Sequence, residues 1–109
     1  MRILLIEDDA EDAAMMRQGL SRALGAEVAW VDSLAAAVAA ITEHEPDAIV
    51  MDLHLPDNDD SGGVEDLVDL TAAPVVVWTG ETRTDRRLAC VEAGASWVIA
   101  KPRGVADVA

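Results

Sequence analysis

Six side chains able to do acid, metal or phosphoryl chemistry stand where short apolar runs stop. Ile3-Leu4-Leu5-Ile6 ends on Glu7-Asp8-Asp9, and Ala48-Ile49-Val50-Met51 ends on Asp52. Val75-Val76-Val77-Trp78 leads to Thr79, and Trp97-Val98-Ile99-Ala100 leads to Lys101. Carboxylates, a hydroxyl and an ammonium are the groups needed to hold a hard cation and to receive or steady an anion. They act together only if the four runs end on the same rim.

Apolar runs without alternation fit strands buried on both faces, as in parallel sheets covered by helical crossovers. Ligands of open parallel sheets bind beyond the carboxyl ends of the strands. The punctuation between runs supplies the crossovers. Asp9 caps a helix with Ala13, Met16, Leu20 and Leu24 at helical spacing, and Gly25 closes it. Glu27 to Val31 reads as a second strand, and Ser33 caps a helix carrying Leu34, Val38 and Ile41 that ends before Pro46. A loop from His54 to Gly63 precedes a short helix over 64–70, and Pro74 admits the fourth strand. A helix over 82–93 carries Leu88 and Val91 as apolar positions, exposes Arg83, Arg86 and Arg87 and stops at Gly94; the fifth strand follows. Strand and helix alternating in this way predict a doubly wound α/β domain.

The 109 residues suffice for one domain, spanning 1–109, with one aliphatic core: the chain has no Phe or Tyr and 3 Trp. A net charge of -13 argues against binding nucleic acid or an anionic membrane surface. Cys90, the single cysteine, reads as a small buried hydrophobe rather than a reactive thiol. The stretch from Leu34 to Ile41 is too short to span a bilayer, and nothing resembles a signal peptide, so a cytoplasmic protein is the expectation. After Pro102 only Arg103 to Ala109 remain, which leaves a last helix short or truncated and fits a segment of a longer protein.

In order, spacing and strand-end placement, Ile3 to Asp9, Met51-Asp52-Leu53-His54-Leu55-Pro56-Asp57, Trp78-Thr79-Gly80 and Ala100-Lys101-Pro102 resemble a response-regulator receiver domain of two-component signalling. The resemblance covers essentially the whole chain. It implies a flavodoxin-like, five-stranded parallel sheet of order 2-1-3-4-5, and a signalling switch rather than an enzyme with its own substrate. Asp52 would accept a phosphoryl group from a phosphohistidine on a histidine kinase or phosphotransfer protein, forming a reactive acyl phosphate. Asp8, Asp52 and the His54 backbone carbonyl would hold Mg2+, with Glu7 reaching it through water. Lys101 would pair with Asp52 and then with phosphoryl oxygens, and Thr79 would turn toward the group, which Gly80 leaves room to admit. Pro102 would hold the loop, in the family usually through a cis bond, and His54 and Glu81 would tune dephosphorylation. Independently of the family, carboxylates about 5 Å apart at an effective dielectric of about 20 repel by roughly 3 kcal/mol, so crowding Glu7, Asp8 and Asp52 demands a cation. Mg2+ suits it, being hard, oxygen-seeking and able to bridge to phosphate.

The chain departs from the family at Val98, where receivers commonly carry a Tyr or Phe; Trp97 points to the other side of the strand and cannot replace it. The loop after Pro56 is also longer than usual. Both changes, with the short last helix, encourage an alternative, a receiver-fold binding module indifferent to phosphorylation; the complete acid, Thr and Lys set argues against it. Arg83, Arg86 and Arg87 form the one basic cluster, which an acidic partner or a homodimer would use, though a solvated helix face is the simpler reading. Asp57-Asn58-Asp59-Asp60-Ser61-Gly62 opens like a calcium loop, but Val68 occupies the position that needs a bidentate acid.

Overall fold

A computed structural model describes residues 1–58, 60–80 and 83–101. Strands β1 (Arg2–Ile6), β2 (Glu27–Val31), β3 (Ala48–Met51), β4 (Val75–Thr79) and β5 (Trp97–Ala100) form one sheet of order β2-β1-β3-β4-β5, every pair parallel. Helices α1 (Ala10–Leu24), α2 (Leu34–Glu43), α3 (Gly62–Leu70) and α4 (Thr84–Glu92) connect them. This is the doubly wound order expected. Pro102, the cis bond expected there, Glu81 and the short last helix lie outside the described residues.

Side chains alternate across each strand and divide the core in two. Leu4, Ile6, Ile49, Met51, Val75 and Val77 pack under Ala37, Ile41, Val64, Leu67 and Cys90 of α2, α3 and α4. On the other face Ile3, Leu5, Val28, Val50 and Trp78 pack with Ala13 of α1, and Met16 and Leu20 lie against them. Cys90 is fully buried, as read. On α4 the expected exposure of Arg86 and Arg87 is not met. Leu88 and Val91 are exposed and Arg86 and Arg87 half-buried, because the inward position of this helix belongs to Cys90. Arg83, at the cap position before α4, pairs with Asp85 in its first turn at 3.1 Å.

The helix starts follow the capping residues. Asp9 accepts from the Glu11 and Asp12 amides, and Gly25 closes α1 in the left-handed region at φ 62°. Ser33 accepts from Ala36 N at 3.1 Å. A second cap on α2 comes from far along the chain: the Asp57 carboxylate accepts from Leu34 N at 2.8 Å and Ala35 N at 2.9 Å. Those two amides, Ala35 first, hold its carboxyl below the usual aspartate range. This contribution is present above the ordinary aspartate pKa and is lost as pH falls through the depressed one. Asp57→Ala should therefore cost about 1 kcal/mol, read as a lower urea midpoint at pH 7. An unchanged midpoint would remove the cap from the account.

Asn58 and Asp60 of the β3–α3 loop hold the loop and the start of α3. Asn58 donates to the carbonyls of Leu53 at 2.8 Å and Asp60 at 2.9 Å and accepts from Gly63 N at 2.9 Å. A Cβ on Gly63 would lie 2.7 Å from Asn58 Oδ1, so the close approach requires glycine. Asp60 accepts from Gly62 N at 2.8 Å.

Candidate functional site

Strand ends become a site because the hydrogen-bond ladder runs one residue past each strand. Glu7 N donates to Val31 O at 3.0 Å, Asp52 N to Ile6 O at 2.8 Å and Lys101 N to Thr79 O at 2.9 Å. Glu7, Asp52 and Lys101 are thereby held by backbone at one rim. Trp30 adds a tie that sequence reading missed: its indole Nε1 donates to the Glu7 carbonyl at 2.7 Å. No spacing pattern links residues on neighbouring strands in that way.

Glu7, Asp8 and Asp52 come together, with one carboxylate oxygen of each within 4.8 Å of the others. Glu7 is fully buried, Asp52 is 5% exposed, and Asp8 faces solvent. Asp9 N donates to Glu7 Oε1 at 3.1 Å, while Oε2 is buried without a hydrogen-bond partner. Lys101 Nζ approaches that oxygen to 2.9 Å as an ion contact; it is off the hydrogen-bonding direction, since Oε2 is left unsatisfied. Burial pushes the Glu7 carboxyl up to about 7, with Lys101 and the Asp9 amide pulling it down and Asp52 pushing it further up. Three hard oxygen donors, one of them buried and unsatisfied, fit a small divalent cation.

Lys101 is the hub. Its ammonium donates to Asp52 Oδ2 at 3.2 Å and to Asp12 Oδ2 at 2.9 Å, and lies 4.9 Å above the Trp78 ring. Desolvation pulls its own pKa down, but the close contacts with Asp12 and Glu7 and the charges of Asp52 and Glu7 outweigh it, and the pKa is raised. Asp12 is the second residue that sequence reading missed, because a first-turn acid after an Asp cap reads simply as helix-terminal charge.

The remaining predicted residues fall around this hub. His54 N donates to Asp52 Oδ1 at 3.3 Å, which brings its backbone to the acceptor. Thr79 is fully buried at the end of β4 and pairs in register with Ala100, next to Lys101. Gly80 leaves the space at its Cβ position open. Val98 is half-buried against the core and Trp97 is 66% exposed, so Trp97 does not replace an inward aromatic. Among the described residues no helix is long and apolar enough to cross a membrane.

Known proteins agree with this geometry. The family model described as the response regulator receiver domain matches residues 3–108. The transcriptional regulatory protein PrrA of Mycobacterium tuberculosis is 37% identical over 98% of this chain and 46% of its own length, so the chain spans about half of that relative. The BeF3-activated receiver domain of Klebsiella pneumoniae RstA superposes with a TM-score of 0.86 at 25% identity, covering 99% of this chain and 92% of that one. The Mn(2+)-bound response regulator Rcp1 gives 0.83 at 28% identity, covering 98% and 85%. From its strand order, its acidic rim and the match along nearly its whole length, this chain belongs to the response-regulator receiver family.

Proposed function

We propose that the chain is a phosphoacceptor switch in which Asp52 takes a phosphoryl group from a phosphohistidine on a histidine kinase or phosphotransfer protein. The observation that carries this is the setting of Asp52: nearly buried, 3.2 Å from Lys101 Nζ and grouped with the carboxylates of Glu7 and Asp8. An Asp52 oxygen attacks phosphorus, an O–P bond forms, and the bond to the donor nitrogen breaks with its electron pair left on the imidazole, which is then protonated. Lys101 moves from the carboxylate to the phosphoryl oxygens, a charge-assisted contact in a partly desolvated place. Glu7, Asp8, Asp52 and the His54 carbonyl would hold Mg2+. Bound there, Mg2+ supplies positive charge against the carboxylates and the entering phosphoryl oxygens. The Thr79 hydroxyl, buried beside Lys101, is the group that would follow the phosphoryl oxygen. Water attack on the acyl phosphate would reset the switch, so the only reactions assigned are the domain's own loading and loss. Residues 1–109 serve as one receiver domain, a cytoplasmic setting supplies the donor, and with half the length of PrrA matched the output belongs to whatever this receiver is joined to or binds.

With Mg2+ and acetyl phosphate the wild type should gain one phosphoryl mass, and Asp52→Ala none, by intact-protein mass spectrometry. Equal labelling of both would overturn the assignment. Chelation with EDTA should abolish the gain in the wild type.

A further inference from the structure

We infer that Asp12 is a positioning residue that shares Lys101 with Asp52 in the resting protein and competes for it when a phosphoryl group arrives. This rests on the phosphoacceptor reading of Asp52. The local sequence makes Asp12 available. Asp9 is the helix cap and Asp12 stands three residues later, where an acid ordinarily turns back to the cap amide. That amide already donates to Glu7 Oε1 at 3.1 Å, so the Asp12 carboxylate reaches across to Lys101 at 2.9 Å, from the first turn of α1 to the end of β5.

The contact is not a loose surface pair. The Lys101 side chain is 17% exposed and that of Asp12 33%. An ammonium has three donors; one goes to Asp12 and one to Asp52, while the Glu7 contact lacks hydrogen-bond geometry. Phosphorylation turns the Asp52 carboxylate into an acyl phosphate and brings new anionic oxygens to the same place. Asp12, the hydrogen-bonded partner that remains beside the Glu7 ion contact, competes with those oxygens for Lys101, so it opposes loading and favours return to the resting arrangement. The neighbouring Glu11 carries the same charge on the same turn but has no contact with Lys101, which separates contact from general repulsion.

Lys101 is the only lysine among the 8 basic residues, so lysine labelled at Nζ gives one side-chain ammonium signal by NMR. The full 109-residue chain serves. In the wild type, Mg2+ with beryllofluoride as a phosphoryl stand-in should move that signal. Asp12→Asn should move it already at rest and should raise the initial rate of acetyl phosphate loading at subsaturating donor about three- to tenfold. Glu11→Gln should leave the signal in place and change loading less than twofold, and Asp12→Glu should restore most of the wild-type behaviour. Circular dichroism of each variant establishes that it is folded; if Asp12→Asn is not, Asp12→Ser takes its place in the same comparison. A wild-type signal and loading rate in the folded Asp12 variant would overturn the role of Asp12 alone, as would an equal effect of Glu11→Gln. Absence of any wild-type labelling would overturn the phosphoacceptor reading and this role with it.

Discussion

Lys101→Met should destabilise the protein in EDTA at pH 8 by an amount near the lower end of the roughly 3–5 kcal/mol seen when one partner of a buried ion pair is removed. The reason is the company Lys101 keeps: Glu7 at 2.9 Å, Asp12 at 2.9 Å and Asp52 at 3.2 Å, with Glu7 and Asp52 largely withdrawn from water. Without the ammonium, two buried carboxylates face one another, and the cheapest response is for Glu7 to take a proton. The loss should therefore shrink at pH 5, where that proton is readily supplied. It should shrink again with Mg2+ at pH 8, since a divalent cation among Glu7, Asp8 and Asp52 replaces the missing charge. Against a total of about 5–15 kcal/mol for an ordinary domain, the effect is easily read by urea unfolding. Equal stability of variant and wild type in EDTA at pH 8 would show that Lys101 does not balance the acids. Loading by acetyl phosphate should fall at least tenfold in the same variant, since the phosphoryl oxygens lose their ammonium.

The second large effect belongs to Glu7. Its carboxyl titrates near 7 in the folded protein against 4.5 for the ordinary group. Between those values the folded state holds a proton that the unfolded chain has released, so the sign is the reverse of the usual surface carboxylate. Stability in EDTA should fall as pH rises through this window, by up to about 3 kcal/mol, and level off above it. Glu7→Gln keeps the shape and cannot titrate, so its stability should lose that slope relative to wild type. Parallel curves for the two proteins from pH 4.5 to 8 would place the raised carboxyl elsewhere. The two predictions share a cause: the site stores repulsion that Lys101, shared among Glu7, Asp12 and Asp52, balances only in part.

Much of the fold was legible in the chain because it depends on local signals. The five apolar runs became five parallel strands, and Asp9, Gly25 and Ser33 ended helices as their chemistry requires. Strand ends marked Glu7, Asp52 and Lys101 because, in a parallel sheet, the polar residue after a buried run has only the rim to go to. Side-chain orientation on α4 was less legible. Leu88 and Val91 are apolar yet face out, since the helix meets the core through Cys90, and polarity alone does not say which stripe of a short helix wins.

By itself, then, the sequence determined the α/β alternation, the identity of the rim residues and the crowding of acids among them. Each of these follows from residue type and spacing within a few positions. Only the tertiary structure decided who shares Lys101, that Trp30 pins the Glu7 carbonyl and that Asp57 caps a helix 22 residues before it. Those contacts join segments distant in the chain, and their partners are chosen by strand order and crossover geometry, which a reading of local pattern does not contain.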